Sequence, residues 1–457
     1  MRKVNSARRL LLRAQTVALV FLSAPGCGQA GEDPARATAA APTDVEYAKW
    51  HPEWSPAFRS PVEPNLVLFD LRGSGLRADE WFLTGTAVVR EDLDDEWTLD
   101  GRALGIDNSG QVIGRPHGFA AMYSTLALPV PNNNSLVLLW LSPAEGDEAG
   151  LDGYSVNPAT RLSELWYTVV TKAGSVGNPA RIAVDSSGFQ PTTLNASVLS
   201  SGKVLVAIAS QVTGDRAHAR VLTIDGDSVR ESTANHPPAL SGVALHHHDR
   251  SSVLVTVGPD PITLAQPDEV TQSLVQIWEI PDPGSPPHEV ASVRGPPTAF
   301  NWISSLIGSR NRDAFALVIG EPGPTGFGVS RVWTMDVEST RIPEVGDRAD
   351  WTALRTFPFE AFNPIVVKDT CGAMHIIAEE WPMEEDGPPN LWYSRRTEAG
   401  WEEWRPLPVM GYVTSTTMFT TTNHDIVAVY FDVDIDVDAG TISVALVRST
   451  LSQECVT

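Results

Sequence analysis

Short apolar runs alternate with polar turns along most of the chain, and they recur in pairs. The pairs are SVL and VLVAIA (197–209), GVAL and VLVTV (242–257), SSLI and FALVI (304–319), PIVV and HIIA (364–378), and TTM and IVAVYF (416–431). Runs of Val, Ile, Leu, Phe and Ala bounded by Gly, Asp, Asn and Ser indicate strands that are buried on both faces and joined by hairpins. No long stretch has a helical period, so the pattern predicts an all-β protein.

A third strand follows each of the five pairs, a further one lies before them at 165–170, and several of these strands contain a Trp. They recur at intervals of roughly 50 to 60 residues, at 165–170, 219–224, 274–280, 330–337, 391–395 and 443–448. An acidic residue followed by Trp marks a candidate fourth strand, at Trp54, Trp97, Trp351 and Trp404. Four antiparallel strands per repeat predict a β-propeller, and about 410 folded residues at this period give about seven blades, with six or eight as alternatives.

The two ends of the repeat array predict how the ring closes. The last unit stops after its third strand, and Glu53-Trp54-Ser55 is similar to the fourth-strand sequence Asp350-Trp351-Thr352. We therefore expect an N-terminal strand to complete the C-terminal blade, which removes exposed strand edges. The predicted propeller spans residues 46–457. The strands between about 60 and 190 are too irregular to place from the sequence.

The N-terminus has the pattern of an export signal. Five basic residues lie within the first 13, an apolar run covers 14–24, and Pro25, Gly26 and Cys27 follow. This run is shorter than the roughly 20 residues that span a bilayer, so we predict a signal peptide over 1–26 and a flexible tether over 27–45. Leu22–Cys27 resembles the lipobox of bacterial lipoproteins, which implies acylation of Cys27. Ala24 stands where that motif usually has Leu, and cleavage after Ala30 is the alternative.

The remaining cysteines form a candidate disulfide. With Cys27 acylated, Cys371 and Cys455 are an even pair in an oxidising compartment. Cys371 lies in a turn and Cys455 lies two residues from the C-terminus, so a bridge would fix the chain end. Two unrelated thiols are the alternative.

Charge excludes one class of partner. Lys and Arg number 33 against 56 Asp and Glu, which gives a net charge of -23. Such a surface repels phosphate backbones and anionic headgroups, because binding to nucleic acid requires basic side chains. We therefore expect no nucleic-acid partner, a monomer, and contact with a membrane only through the lipid anchor.

One unit resembles a known family. Phe362–Trp404 contains a strand, an Asp-containing turn, a second strand and a "YS" strand that leads to Glu398-Ala399-Gly400. This order is similar to that of secreted sialidase-like propellers with degenerate Asp-box repeats. The resemblance implies a propeller fold. It also implies that a glycan hydrolase would need an arginine cluster, a Tyr with a Glu partner, and an Asp.

Two sets of residues are candidate ligand sites. Asp432, Asp434, Asp436 and Asp438 alternate with apolar residues, so in a strand they share one face and form a candidate Ca²⁺ site. The alternative is an acidic hairpin tip that discourages edge pairing. Long polar loops at 142–161, 258–273, 320–329 and 379–390 are expected at one rim of the propeller. Candidate ligand-binding residues at that rim are Asn301, Trp302, Asn363 and Trp381.

These features favour a non-enzymatic binding or scaffold protein. We expect it to be secreted or to be an outer-membrane or cell-surface lipoprotein that binds a glycan or an envelope protein, with no cofactor besides the candidate Ca²⁺. The alternative is a sialidase-like glycan hydrolase. The five predicted innermost strands carry no Arg, Glu, Asp or Tyr, so the sequence offers no catalytic residues for this alternative.

Overall fold

The computed structural model describes strands and short adjoining segments between Val45 and Ser452. The adjoining segments are 54–55, 177–179, 199, 201–203, 226, 232, 251, 281–287, 295, 323, 351, 369, 371–373, 399, 402–404, 407, 409, 421, 425 and 452. Within these residues every regular element is a β-strand. None of the described residues belongs to a helix that is long and apolar enough to cross a membrane.

The described strands form antiparallel sheets, and each blade is named here by its innermost strand. The β3 blade contains β3 (Val67–Arg77), β4 (Glu80–Val89), β5 (Thr98–Ile106) and β6 (Val112–Phe119). The β7 blade contains β7 (Ser124–Val130), β8 (Ser135–Pro143), β9 (Ser163–Thr171) and β10 (Ala180–Ile182). The β11 blade contains β11 (Pro191–Val198), β12 (Val204–Ser210), β13 (His218–Asp225) and β14 (Ser228–Glu231). The β15 blade contains β15 (Gly242–His247), β16 (Ser252–Pro259), β17 (Ser273–Ile280) and β18 (His288–Arg294).

The next two blades share one long strand. The β19 blade contains β19 (Ile303–Gly308), β20 (Ala314–Pro322), β21 (Val329–Glu338) and the first part of β22 (Thr352–Lys368). The second part of β22 is the innermost strand of the β22 blade, with β23 (Met374–Glu380), β24 (Leu391–Thr397), β25 (Gly400–Trp401) and β26 (Arg405–Pro406). The shared strand joins the two blades into one continuous eight-stranded sheet.

The last blade combines both ends of the chain. The β27 blade contains β27 (Tyr412–Thr420), β28 (Ile426–Asp436) and β29 (Thr441–Leu451), completed by β2 (Ala57–Pro61) and β1 (Val45–Tyr47). β2 pairs antiparallel with β29, with Phe58 opposite Arg448. The predicted closure by an N-terminal strand is therefore confirmed.

The blades are arranged in a ring. The innermost strands contact each other in the order β3, β7, β11, β15, β19, β22 and β27, and β27 contacts β3. The chain is therefore a β-propeller, as the sequence predicts. When the two halves of the shared sheet are counted separately, the described strands fall into seven groups. The blade number of the whole chain stays a prediction.

The core lies between blades. The clusters of buried side chains draw on two neighbouring blades each, as where Val253 and Val255 of β16 pack with Met335 of β21. Several second strands are buried on both faces, among them residues 253–257 of β16 and 374–378 of β23, and residues 426–431 of β28 have no exposed surface. Burial of apolar surface stabilises by roughly 25 cal/mol per Å², so each blade depends on its neighbours for much of its stability.

The strand predictions agree with the structure from residue 191 onward and fail at one earlier position. Trp351 and Trp404 precede the fourth strands of their blades, as predicted. The sequence Glu96-Trp97 instead precedes β5, which is a third strand because it pairs with both β4 and β6. The expectation of a fourth strand at Trp97 was wrong, because a third strand can carry the same acidic and aromatic pair.

Candidate binding site at the channel mouth

The two rims of the propeller differ in their loops. Hairpins between first and second strands are short and lie at 78–79, 131–134, 199–203, 248–251, 309–313, 369–373 and 421–425. Second strands end and third strands begin at the opposite rim, and the residues that link them in three blades, 144–162, 260–272 and 381–390, lie outside the described residues. We call this second rim the loop-bearing rim. The long polar loops predicted from the sequence lie mostly outside the described residues and stay a prediction, and the one at 320–329 begins inside β20. Loops at such a rim are where binding residues concentrate.

Irregular pairing marks the start of most innermost strands at the loop-bearing rim. In an antiparallel blade the innermost strand starts at the same rim as the connection between the second and third strands. Register with the second strand shifts at Phe69/Arg72, Pro191/Thr193, Ile303/Ser305, Phe362/Ile365 and Val413/Ser415. Such bulges bend a strand and often occur next to binding sites. They place irregular backbone around the channel mouth.

The residues at these bulges are mostly of hydrogen-bonding types. Asp70, Thr192, Ser304, Asn363 and Thr414 lie within the register shifts. A bulge leaves backbone groups without a ladder partner, and these need another one. At the β3 bulge, Leu71 donates its N–H to Ser415 Oγ of β27 at 2.8 Å, so two neighbouring blades are joined at the mouth.

The predicted ligand residues fall partly at this position. Asn363 lies in the β22 bulge, between Phe362, which pairs with Glu379, and Ile365, which pairs with Ile377. Asn301, Trp302 and Trp381 lie outside the described residues. Trp381 follows directly on Glu380, the last residue of β23 at the loop-bearing rim.

A buried acid lies beside the β22 bulge. Glu379 on β23 is almost fully buried. Burial raises the pKa of Glu379 to about 7, and the Thr416 hydroxyl of β27 acts in the opposite direction. Glu379 therefore changes charge near neutral pH in the interface between the β22 and β27 blades.

Third-strand Trp residues form a repeated hydrogen bond that the sequence analysis did not identify. The Trp333 indole donates to Glu321 Oε2 at 2.8 Å, and the Trp392 indole donates to Glu380 Oε2 at 2.8 Å. In both blades the acceptor lies two residues beyond the second-strand partner of the Trp. Trp278 makes the corresponding bond to Thr256 Oγ1 at 3.1 Å. The spacing of 12 residues between Glu and Trp in two successive units was the signal available in the sequence.

Arg355, in the part of β22 that belongs to the β19 blade, has aromatic neighbours. The Arg355 guanidinium carbon lies 5.2 Å from the ring centroid of Trp401 and 5.0 Å from that of Trp404. Its Nη2 donates to the Glu402 carbonyl at 3.1 Å, and burial lowers the pKa of Arg355 from its ordinary value. Arg294 and Arg405 are exposed. Arg355 therefore joins the β19 and β22 blades.

The aspartate series occupies a strand, as expected for alternating residues. Asp432, Asp434 and Asp436 lie in β28, and Asp438 lies outside the described residues. Asp432 is buried, opposite Val413 and Ala445. Among the described residues, no group of three or more His, Cys, Asp or Glu could hold a metal ion. A Ca²⁺ site that also uses Asp434, Asp436 and Asp438 stays a prediction.

One buried network has the composition of a catalytic triad. His375 Nε2 lies 3.1 Å from Asp369 Oδ2, and His375 Nδ1 lies 2.8 Å from the Tyr393 hydroxyl. The Tyr393 hydroxyl also accepts the Trp54 indole N–H at 3.0 Å. His375 and Tyr393 have almost no exposed surface. No substrate can reach these groups in this arrangement, so the network is structural.

Electrostatics fix the charge of Asp369 in this network. Burial alone would raise the pKa of Asp369, but the hydrogen bond and charge of His375 lower it below its ordinary value. The Ala373 N–H and Arg395 act in the same direction. Asp369 is therefore a carboxylate at neutral pH.

Cys371 lies in the same turn and is disulfide-bonded. Its partner lies outside the described residues, as do Cys27 and Cys455, so pairing with Cys455 and acylation of Cys27 stay predictions.

The innermost strands are less uniform in composition than the sequence predicts. The five predicted innermost segments carry no charged residue or Tyr, but β3 is also innermost and contains Asp70, Arg72 and Arg77. β27 begins at Tyr412. The irregular pattern between 60 and 190 concealed β3, because its Gly and Arg residues break the apolar run.

The class of protein, a closed β-propeller, follows from the strand order and the ring contacts. No family model and no curated protein matches the chain. Solved structures share its outline at low identity. A protein of unknown function from Dyadobacter fermentans is 11% identical, over 76% of this chain and 99% of its own, with a TM-score of 0.46.

Two enzymes are among the other similar structures. A fungal alcohol oxidase of the AA5 family, in complex with copper, is 11% identical over 86% of this chain and 75% of its own, with a TM-score of 0.49. The Trypanosoma rangeli sialidase in complex with the inhibitor DANA is 10% identical over 89% of this chain, with a TM-score of 0.43. The match spans 60% of the sialidase chain.

Proposed function

We propose that this protein is a non-enzymatic binding or scaffold propeller that acts outside the cytoplasm and binds its ligand at the loop-bearing rim. The observation that carries the proposal is the difference between the rims. First and second strands are joined by short hairpins at one rim, whereas much longer stretches of sequence, 144–162, 260–272 and 381–390, separate the second and third strands that meet the other rim. Long loops on a rigid scaffold are typical of binding surfaces, and the bulged strand starts add hydrogen-bonding residues beneath them.

The ligand class is tested by direct binding. Purified protein is applied to arrays of bacterial surface glycans and, separately, to purified envelope proteins. Asn363→Ala and Trp381→Ala should weaken binding about tenfold or more, because each removes one of the contacts that orient a ligand. Lys203→Ala is the matched control, since Lys203 lies in a hairpin at the opposite rim and pairs only with Asp225 among the described residues. Equal binding by all three variants would reject the site.

The location is tested on cells. An alkyne-tagged fatty acid should label the wild-type protein, and Cys27→Ala should abolish both the label and recovery in the membrane fraction. Export of the protein without labelling would reject the lipid anchor, and secretion would then be the remaining hypothesis. Recovery in the cytoplasm of the unprocessed protein would reject the extracytoplasmic proposal as a whole.

A sialidase-like glycan hydrolase is the second candidate, and one observation favours it. Asp70 and Arg72 lie on an innermost strand at a bulge of the channel mouth, where a carboxyl and a guanidinium group are needed for such chemistry. Hydrolysis of a fluorogenic sialoside or other glycoside that is lost in Asp70→Asn would establish this function. Binding of the glycoside without hydrolysis, by the wild-type protein as well as by Asp70→Asn, would reject the hydrolase function.

A further inference from the structure

The first hairpin of the β22 blade is connected to distant parts of the chain. We call residues 369–375 the clasp hairpin. Its turn is closed by Asp369 N–H to the Ala373 carbonyl at 2.8 Å and by Gly372 N–H to the Asp369 carbonyl at 3.1 Å. Asp369 Oδ1 also accepts the N–H groups of Cys371 and Ala373, at 2.9 and 2.7 Å. The Asp369 carboxylate is thus held by the turn that contains the disulfide-bonded Cys371.

The N-terminal closing segment is attached to the clasp hairpin by a chain of buried groups. Asp369 contacts His375, His375 contacts the Tyr393 hydroxyl, and Tyr393 accepts the Trp54 indole N–H. The rings of Trp54 and His375 also pack edge to face, with centroids 5.9 Å apart. Next to Trp54, the Ser55 N–H donates to the Thr450 carbonyl at 2.8 Å. These contacts hold Trp54 and Ser55, which come shortly before the closing strand β2 in the sequence.

The C-terminal end of the fold reaches the same place. Leu451, the last residue of β29, is buried in one cluster with Trp54, Val367 and Tyr393. Cys455 follows Leu451 by four residues, a span of at most about 14 Å in an extended chain. The side chains around the clasp hairpin thus include residues from both ends of the folded chain.

We propose that the clasp hairpin holds both ends of the propeller: the N-terminal closing strand through the hydrogen-bonded chain to Trp54, and the C-terminus through a disulfide between Cys371 and Cys455. The disulfide orders the turn, the turn orients Asp369, and Asp369 orients His375 and Tyr393 toward Trp54. Breaking the disulfide therefore loosens closure of the ring at a strand more than 300 residues away in sequence. The clasp is independent of what the loop-bearing rim binds.

The disulfide partner is tested first. Peptide mapping of the full-length protein under non-reducing conditions should yield a Cys371–Cys455 peptide. A bridge to Cys27, or to a second copy of the chain, would overturn the proposal because the C-terminus would then not be held.

Coupling to closure is tested by hydrogen exchange. Dithiothreitol supplies two electrons and two protons, becomes a cyclic disulfide itself, and leaves two protein thiols. Reduction, or Cys371→Ser, should speed amide exchange roughly tenfold in residues 55–61 and 446–452 and leave β15 and β16 unchanged. Reduction of the wild-type protein provides the same readout where a variant fails to fold.

A pair of Trp variants separates the clasp from general loosening. Trp54→Phe removes the indole donor and should speed exchange in residues 55–61 with the disulfide intact. Its effect should shrink in the Cys371→Ser background, because residues of one network are not additive. Trp278→Phe is the control, since it removes an indole hydrogen bond in the β15 blade. Unchanged exchange in 55–61 after reduction, or full additivity of the two substitutions, would overturn the proposal.

Discussion

Among single residues, the buried polar side chains of the β22 blade form hydrogen bonds that hold neighbouring strands together. The acid, imidazole and phenol of Asp369, His375 and Tyr393 are the types used in catalysis, yet they lie in the core between two blades. A fully satisfied buried network fixes one arrangement of the surrounding elements. Whether such residues act in catalysis or in structure depends on whether their side chains are exposed to solvent. Residue type alone does not decide this.

The buried Glu379 makes stability depend on pH. Its folded pKa of about 7 lies above the ordinary value of 4.5, so the folded state binds its proton more tightly than the unfolded state. The stabilising contribution of Glu379 is fully present below about pH 4.5, where the group is protonated in both states. It falls as the pH rises to about 7 and stays low at higher pH. Glu379→Gln removes the charge and should stabilise the protein at pH 8 by up to about 3 kcal/mol, with little effect at pH 4.5.

Urea unfolding at the two pH values measures this difference. Glu403→Gln, which changes an exposed carboxyl group on the β22 blade, serves as the control and should show no such pH dependence. The same stability change for Glu379→Gln at both pH values would contradict the buried ionisation.

The repeated indole hydrogen bonds should differ in strength with the exposure of their acceptors. Trp278→Phe leaves the fully buried Thr256 hydroxyl without its donor, whereas Trp333→Phe leaves a Glu321 carboxylate that retains some exposure and Arg331 nearby. We expect Trp278→Phe to cost about 1 kcal/mol more than Trp333→Phe, because an unsatisfied buried group carries the full desolvation penalty. Thermal unfolding of the two variants provides the comparison, and the reverse order would argue against it.

Among the elements, two short hairpins at one rim have the same turn geometry. Leu199–Lys203 and Asp369–Ala373 have the same two backbone hydrogen bonds, and Gly202 and Gly372 have φ of 83° and 88°. Only glycine adopts this left-handed conformation at little cost, so the backbone explains the Gly in each of the turn sequences SSGK and TCGA.

Gly202 isolates this effect, because among the described residues no atom beyond its two chain neighbours lies within 4 Å of the position where a Cβ would be added. Gly202→Ala should therefore destabilise by about 1 kcal/mol through backbone strain alone. Gly202→Asn should cost less, because Asn tolerates the left-handed region. Chemical denaturation of both variants measures the difference, and equal losses would point to another cause.

Much of the element-scale structure could be predicted, and the reason is burial. Strands such as VLVAIA and IVAVYF are buried on both faces, so their apolar runs are visible in the sequence. β3, with the sequence VLFDLRGSGLR, could not be recognised because it is interrupted by charged residues and glycines. The bulge that contains Asn363 could not be predicted either, since register depends on the partner strand.

At the scale of the whole molecule, closure links residues that are almost 400 positions apart. Ser55 contacts Ser449 and Thr450 through its backbone and its hydroxyl, and β2 covers the outer edge of β29. Without β2, that edge would present unpaired N–H and C=O groups, which promote association with other strands.

Truncation tests this account of closure. Removing residues 1–62 deletes β1 and β2 and should lower the melting temperature by about 5 °C or more and produce oligomers in gel filtration. Removing residues 1–44 leaves both strands and should leave the melting temperature and the elution volume unchanged. A monomeric, equally stable 63–457 fragment would show that closure by β2 is dispensable.

The class of fold could be predicted from the residue pattern alone, because buried apolar strands at a regular interval have few ways to bury their faces other than against the next unit. It also predicted that an N-terminal strand completes the last blade, from the similarity of Trp54 and Trp351 and the missing fourth strand. The three-dimensional arrangement was needed to show which polar residues are buried between blades and where the innermost strands bulge. It was also needed to show that Asp369, His375, Tyr393 and Trp54 meet. These features depend on contacts between distant segments, which no local pattern of residues records.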